Sequence, residues 1–256
     1  MEPLPFKLNA GFLIVVEGSI GATNHLKFIL DTGTTRTVVD RSLAAKLTTS
    51  SRRSGRIINF NRSVAVESVE VSDVKFGPIR VPRVLVFVAD LGKISDFAVG
   101  ADAIIGLDLI SMSKIVRINY PSRTIYLQAA SFGGEVPPVS NSRCFSVRAT
   151  IQGQPLDLVV DTGIKGVLLY EDSIQRRLPT LRLENETPRV RIGRLVVKNP
   201  KLPGVVVGVT PLRSKVFLMG GHSLSLFDDV DGYLGTAALH AHFIEFNFEK
   251  QTLRWK

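Results

Sequence analysis

Cysteine occurs once in the 256 residues, at Cys144, so no disulfide can form within the chain. That is compatible with a reducing compartment without requiring one. Long apolar runs are missing as well: nothing approaches the roughly 20 residues of a membrane-crossing helix. The opening Met1-Glu-Pro-Leu-Pro-Phe-Lys7 has no basic stretch ahead of an apolar one, and Gly11–Val16 is too short for a signal core and reads as a strand. Location is therefore conditional: cytoplasmic if Met1 is the native start, exported if a leader was removed. Metal-binding and cofactor signals are also sparse. His240-Ala-His242 alternate along an apparent strand, but no cysteine or evident third ligand lies near them, so no metal is expected. His25 and His222 stand outside any Ser or Cys nucleophile motif, and Cys144, with no recognisable His partner, reads as a structural thiol. Gly220-Gly221 lacks the Lys-Ser/Thr ending of a phosphate loop. No cofactor is expected.

Extended amphipathic helical patterns are scarce, with short helices predicted only around Arg41–Leu47 and Glu171–Leu178. What is abundant is short β-branched runs bounded by Gly, Pro or Asp, such as Phe12–Val16, Val84–Val88 and Val205–Val207, which read as strands. The chain is 45% hydrophobic and 21% charged, enough to bury a real core in one large domain or two small ones. Its 32 Lys+Arg exceed 23 Asp+Glu, a net charge of +9. The excess is scattered, with modest clusters at Arg52-Arg53-Ser-Gly-Arg56 and Arg176-Arg177, neither in a zinc-finger, helix-turn-helix or aromatic-rich context. A solvated basic surface is the expectation, with no nucleic acid as partner.

The chain is written twice. Leu26-Lys-Phe-Ile-Leu-Asp31-Thr-Gly-Thr-Thr-Arg-Thr-Val-Val39 reappears as Leu156-Asp-Leu-Val-Val-Asp161-Thr-Gly-Ile-Lys-Gly-Val-Leu-Leu169. A turn precedes each triplet, at Glu17-Gly-Ser-Ile-Gly-Ala22 and Ile151-Gln-Gly-Gln-Pro155. An aspartate, an apolar stretch and a glycine follow each, as Asp102-Ala-Ile-Ile-Gly106 and Asp231-Gly-Tyr-Leu-Gly235. Each half closes with a strand–turn–strand, Ile118–Tyr126 and Phe246–Arg254. One Asp-Thr-Gly is an ordinary turn composition; two inside a repeat with four shared landmarks are not accidental. The Gly/Pro stretch 133–138 reads as a linker between residues 1–132 and 139–256.

With its paired Asp-Thr-Gly, the chain resembles the pepsin-like and retropepsin-like aspartic peptidases, above all single-chain bacterial members built as two retropepsin-like lobes. The resemblance implies a mostly-β, two-lobed acid-protease fold with pseudo-twofold symmetry and few short helices. It implies an endopeptidase that needs no cofactor and acts on peptide or protein substrates, and, since both lobes lie in one chain, a monomer. Asp31 and Asp161 would be catalytic. Thr32 and Thr162 would interlock across the pseudo-twofold axis, with Gly33 and Gly163 giving the loops their turns and Thr34 bonding the outer oxygen of the first carboxylate. The apolar residues before Gly106 and Gly235 would shield the loops from beneath. The chemistry stands independently: hydrolysing an amide without a metal calls for a base and an acid together, and two carboxyls about 3 Å apart share one proton and supply both. A peptide clamp of the same fold with weak or no turnover is the alternative.

The second half departs from the pattern. Ile164 follows its triplet where Thr34 follows the first, and Gly235-Thr-Ala-Ala238 lacks the aspartate of Gly106-Leu-Asp108. A lost bond to the charged form raises the pair's pKa values, so the expected optimum is mildly acidic to near neutral. Arg36 and Lys165 fall where such enzymes line their subsites, implying preference for acidic side chains near the cut. From Asp40 to Gly77 there are 37 positions against 23 from Tyr170 to Gly193. The surplus holds a hairpin over Ile57–Val66, read as a flap closing over substrate, with Phe60 in place of a flap tyrosine.

Overall fold

A computed structural model describes residues 2–47, 50–60, 62–127, 144–179, 189–192, 195–198, 200, 204–221 and 230–256. Among the described residues the chain is mostly β with a few short helices, arranged as three sheets. The first half's sheet runs in the spatial order Lys7–Asn9, Leu13–Ile20, Thr23–Leu30, Ala103–Ile105, Val38–Asp40, Ile79–Ala89, Arg62–Phe76, Ser50–Asn59. It curls back on itself where Ser19 and Ile20 pair with Lys75 and Val74. The second half's sheet has nine strands centred on Val167–Tyr170, Gly232–Gly235, Gln154–Asp161 and Ser146–Ile151.

The repeat in sequence is a repeat in pairing. Thr23–Leu30 runs parallel to Ala103–Ile105, which is antiparallel to Val38–Asp40, itself parallel to Ile79–Ala89. In the second half Gln154–Asp161 is parallel to Gly232–Gly235, which is antiparallel to Val167–Tyr170, itself parallel to Val216–Met219. The two repeated aspartates, Asp102 and Asp231, lock this arrangement. Asp102 accepts the Lys27 amide at 2.7 Å and Asp231 that of Asp157 at 2.9 Å, while the Asp102 and Asp231 amides donate back to the carbonyls of Lys27 and Asp157.

The two closing hairpins, Ile115–Asn119 with Thr124–Leu127 and Phe243–Asn247 with Thr252–Trp255, pair with each other in a third, five-stranded sheet that Leu4–Pro5 completes. Its central seam is antiparallel, with Ile118 opposite Ile244 and Val116 opposite Phe246. All four are buried and belong to one apolar cluster that runs through both halves. At about 1.5–3 kcal/mol per buried large side chain, this continuity is the main force joining the halves. No helix among the described residues is long and apolar enough to cross a membrane. The linker 133–138 and its flanking boundaries lie outside the described residues.

The predicted helices are present, shorter, at Arg41–Ala44 and Glu171–Arg177. Two further single-turn helices, Leu91–Ile94 and Leu107–Ile110, and two 3₁₀ turns, Asp96–Ala98 and Thr236–Leu239, were not foreseen, being too short to show a 3.6-residue period. The predicted hairpin over Ile57–Val66 is longer, Ser50–Asn59 with Arg62–Phe76. His240 and His242 do not alternate on a strand. His240 is left-handed (φ 50°) after the 3₁₀ turn and both are exposed, the strand starting at Phe243.

Candidate active site

Asp31 leaves the end of Thr23–Leu30, its amide donating to the Ile105 carbonyl at 3.0 Å; Asp161 ends Gln154–Asp161. Each triplet folds its aspartate over its own glycine amide, Gly33 N–H donating to Asp31 Oδ1 at 2.8 Å and Gly163 N–H to Asp161 Oδ1. The threonines cross between halves. Thr32 Oγ1 donates to the Val160 carbonyl at 2.9 Å and accepts the Thr162 amide at 3.1 Å. Thr162 Oγ1 donates to the Leu30 carbonyl at 2.7 Å and accepts the Thr32 amide at 3.0 Å. Both threonines are buried, so each hydroxyl uses donor and acceptor capacity where water cannot substitute.

This lattice brings the carboxyls of Asp31 and Asp161 close together, with Asp161 Oδ1 and Asp31 Oδ2 each 2.9 Å from one point, the Cβ position of Gly163. The glycines make the approach feasible. A Cβ on Gly33 would stand 2.4 Å from Asp161 Cγ, and one on Gly163 would stand 2.9 Å from Asp31 Oδ2. Gly106 and Gly235 back the loops at similarly close range, their Cβ positions falling 2.9 Å from the Thr34 carbonyl oxygen and 2.2 Å from that of Ile164.

The electrostatics are not symmetric. Burial pushes Asp161 well above the ordinary carboxylate value, the adjacent Asp31 charge adds to this, and the Gly163 and Gly33 amides relieve it only in part. Asp31 is raised by burial too, but bonds from Asp161, the Gly33 amide and both the hydroxyl and amide of Thr34 hold it down. Ile164, in the matching position, has no hydroxyl and packs into an apolar cluster with Tyr233. The halves differ again one turn further on. Thr37 donates its amide and hydroxyl to Asp108, at 3.0 and 2.8 Å, and accepts the Gly106 amide. Val167 and Ala237 occupy the corresponding places, so the second half lost both members of this pair together.

The pair lies in a groove of about 2550 Å³ lined by both halves and by the long hairpin. Phe60, at the hairpin tip, reaches across it and meets Tyr233 edge-to-face, ring centroids 5.2 Å apart. Arg36 and Lys165 are exposed on the groove wall rather than beside the carboxyls. Tyr233 was missed by the sequence reading, though the repeat carries the signal: it precedes Gly235 by as many residues as Ile104 precedes Gly106. Its hydroxyl accepts a 3.4 Å bond from Tyr170, and burial raises its pKa. The Cys144 thiol is buried and pushed up to about 12 by burial and by both aspartates, which keeps it protonated and chemically quiet. Among the described residues no three His, Cys, Asp or Glu gather as a metal would require.

The fold is mostly β, with a duplicated Asp-Thr-Gly core that a threonine lattice closes. Residues 16–109 match the aspartyl protease family model. The span takes in the first triplet, the long hairpin, Gly106 and Asp108, and the second triplet, at Asp161, lies outside it. No curated protein matches the chain.

Proposed function

We propose that the chain is an aspartic endopeptidase with two lobes, 1–132 and 139–256, joined by 133–138, in which Asp31 and Asp161 share one proton and hydrolyse a peptide bond held in the groove. The observation that carries this reading is the pair itself, two neighbouring carboxyls, Asp161 buried and Asp31 partly so, whose pKa values are both raised. Such a pair titrates as a unit. Asp31, with the richer set of donors, is assigned the carboxylate role and Asp161 that of the protonated partner. Asp31 takes a proton from a water placed between them, and the oxygen of that water bonds to the scissile carbonyl carbon. Asp161 gives its proton to the developing oxyanion. Collapse of the resulting gem-diol breaks the C–N bond and returns one proton to the pair, the other leaving on the amine. Phe60 and its hairpin close the groove over substrate and keep bulk water out. The site works within one chain, as a monomer and without a cofactor.

A second reading, a peptide clamp without turnover, draws on Ile164, which leaves Asp161 without the hydroxyl that Thr34 gives Asp31. The experiment that decides is digestion of an unstructured peptide library between about pH 3 and 8, the range open to a shared-proton pair. It is run with and without a peptide whose scissile amide is replaced by a secondary alcohol. Cleavage suppressed by the alcohol, a mimic of the tetrahedral intermediate, supports the peptidase. Binding of the alcohol peptide with no cleavage at any pH supports the clamp.

A further inference from the structure

The groove is strongly basic in a chain whose excess charge is otherwise scattered. Eight of its lining side chains are Lys or Arg against five Asp, two of which are the central pair. Of the other three, Asp90 is paired with Lys93 at 3.2 Å, Asp108 is occupied by Thr37, and Asp96 is exposed at the groove's edge. All eight cations are exposed, and beyond Lys93 and Arg41, which stand beside Asp90 and Asp40, six remain along the groove: Arg36, Arg56, Arg62, Lys165, Arg213 and Lys215. Among the described residues none of the six is ion-paired with a carboxylate; Arg56 donates to the Ser63 hydroxyl.

Their placement follows the path of a substrate. Arg36 and Lys165 follow the two triplets in sequence, one from each half, and line the groove. Arg56 and Arg62 are on the two strands of the covering hairpin, on either side of its tip. Arg213 and Lys215 sit on the segment leading into Val216–Met219, anchored where the Val167 amide donates to the Lys215 carbonyl. Positive charge therefore comes from both floor loops, the roof and the second half's rim, all within a recess whose walls confine the field.

We propose that this groove selects peptide segments carrying Asp or Glu on both sides of the scissile bond. The inference rests on the endopeptidase reading and names its substrate class. It agrees with the chemistry of the pair, since carboxyls held protonated to higher pH than usual operate where substrate Asp and Glu are ionised. An enzyme working in strong acid would meet those side chains uncharged. A single-stranded nucleic acid is the other polyanion the cations would attract, but the extended groove beneath a β-hairpin, with paired carboxyls on its floor, favours a peptide.

The test uses matched peptide pairs, identical except that Glu and Asp near the cut become Gln and Asn, assayed at about pH 6 in roughly 50 and 500 mM salt. The acidic member is expected to show kcat/KM about tenfold higher at low salt, the advantage falling to about twofold at high salt. In Arg213→Gln/Lys215→Gln the acidic-to-amide ratio is expected to drop about threefold. Equal cleavage of both members, or a preference unmoved by salt, overturns the inference and leaves the peptidase reading intact. If neither member is cleaved, the peptidase reading fails, and fluorescence anisotropy with the same labelled pairs decides the inference: tighter, salt-sensitive binding of the acidic member upholds it, and equal binding overturns it. Displacement of the acidic peptide by a far lower concentration of an oligonucleotide of equal charge also overturns it.

Discussion

Asp31 has a neighbouring hydroxyl, from Thr34, that Ile164 cannot give Asp161. Restoring it should move the pair. In Ile164→Thr a new donor to the charged form lowers the pair's pKa, so the pH–rate profile is expected to shift to lower pH; an unmoved profile would place the asymmetry elsewhere. The same burial has a consequence for stability. Because Asp161 is raised above its ordinary value of 3.8, the native state holds its proton more tightly than the unfolded chain does. Its stabilising contribution is complete below that ordinary value and is lost as pH rises through the raised one. Asp161→Asn is therefore expected to melt higher than wild type at pH 7–8, by about 2–4 °C for each kcal/mol recovered, with the gain vanishing near pH 4. A gain of the same size at both pH values contradicts this. Both aspartates, both threonines and their glycines were legible in the sequence because the motif occurs twice. Thr37 and Asp108 were only half visible, since their bond spans 71 positions and has no counterpart in the second half to reveal it. Tyr233 hid for a different reason: in a strand it reads as one more core aromatic.

At the scale of elements, the long hairpin sets the first half apart from the second, where the strands Arg189–Ile192 and Leu195–Lys198 are much shorter. Length alone predicted the hairpin. Where its tip would rest was not predictable, because the Phe60–Tyr233 contact joins residues from opposite halves. An edge-to-face pair of this kind is worth about 0.5–1.5 kcal/mol. Phe60→Ala should therefore loosen the closed groove, raising KM for a cleaved peptide by about two- to tenfold while leaving thermal stability nearly unchanged. Wild-type KM in that variant would separate the hairpin from substrate binding. The short helices escaped the sequence reading because one turn is set by caps and neighbours rather than by a hydrophobic period, as where Asp40 accepts the Ser42 and Leu91 amides.

Over the whole molecule, the halves are united twice: at the threonine lattice and along the five-stranded sheet. The repeated closing hairpins were evident in the sequence, but their pairing with each other was not, since nothing local specifies a partner more than a hundred residues away. Within that sheet Glu245 is fully buried and binds Arg117 of the other half at 3.0 Å, and Tyr120 donates to Thr236 at 2.8 Å. Removing one member of a buried ion pair strands the other, at a cost of about 3–5 kcal/mol. Glu245→Ala is expected to lower urea stability by that amount in a single transition reported by the only tryptophan, Trp255, which faces Ile244 across the sheet. A loss below about 1 kcal/mol would mean that apolar packing alone unites the halves. The central claim is that one proton shared by Asp31 and Asp161 performs the hydrolysis, and the most direct test is kcat/KM for one cleaved peptide in wild type, Asp31→Asn and Asp161→Asn at the wild-type optimum. The account predicts a loss of at least about 10³-fold in each variant alone; activity within about tenfold of wild type in either one would contradict it.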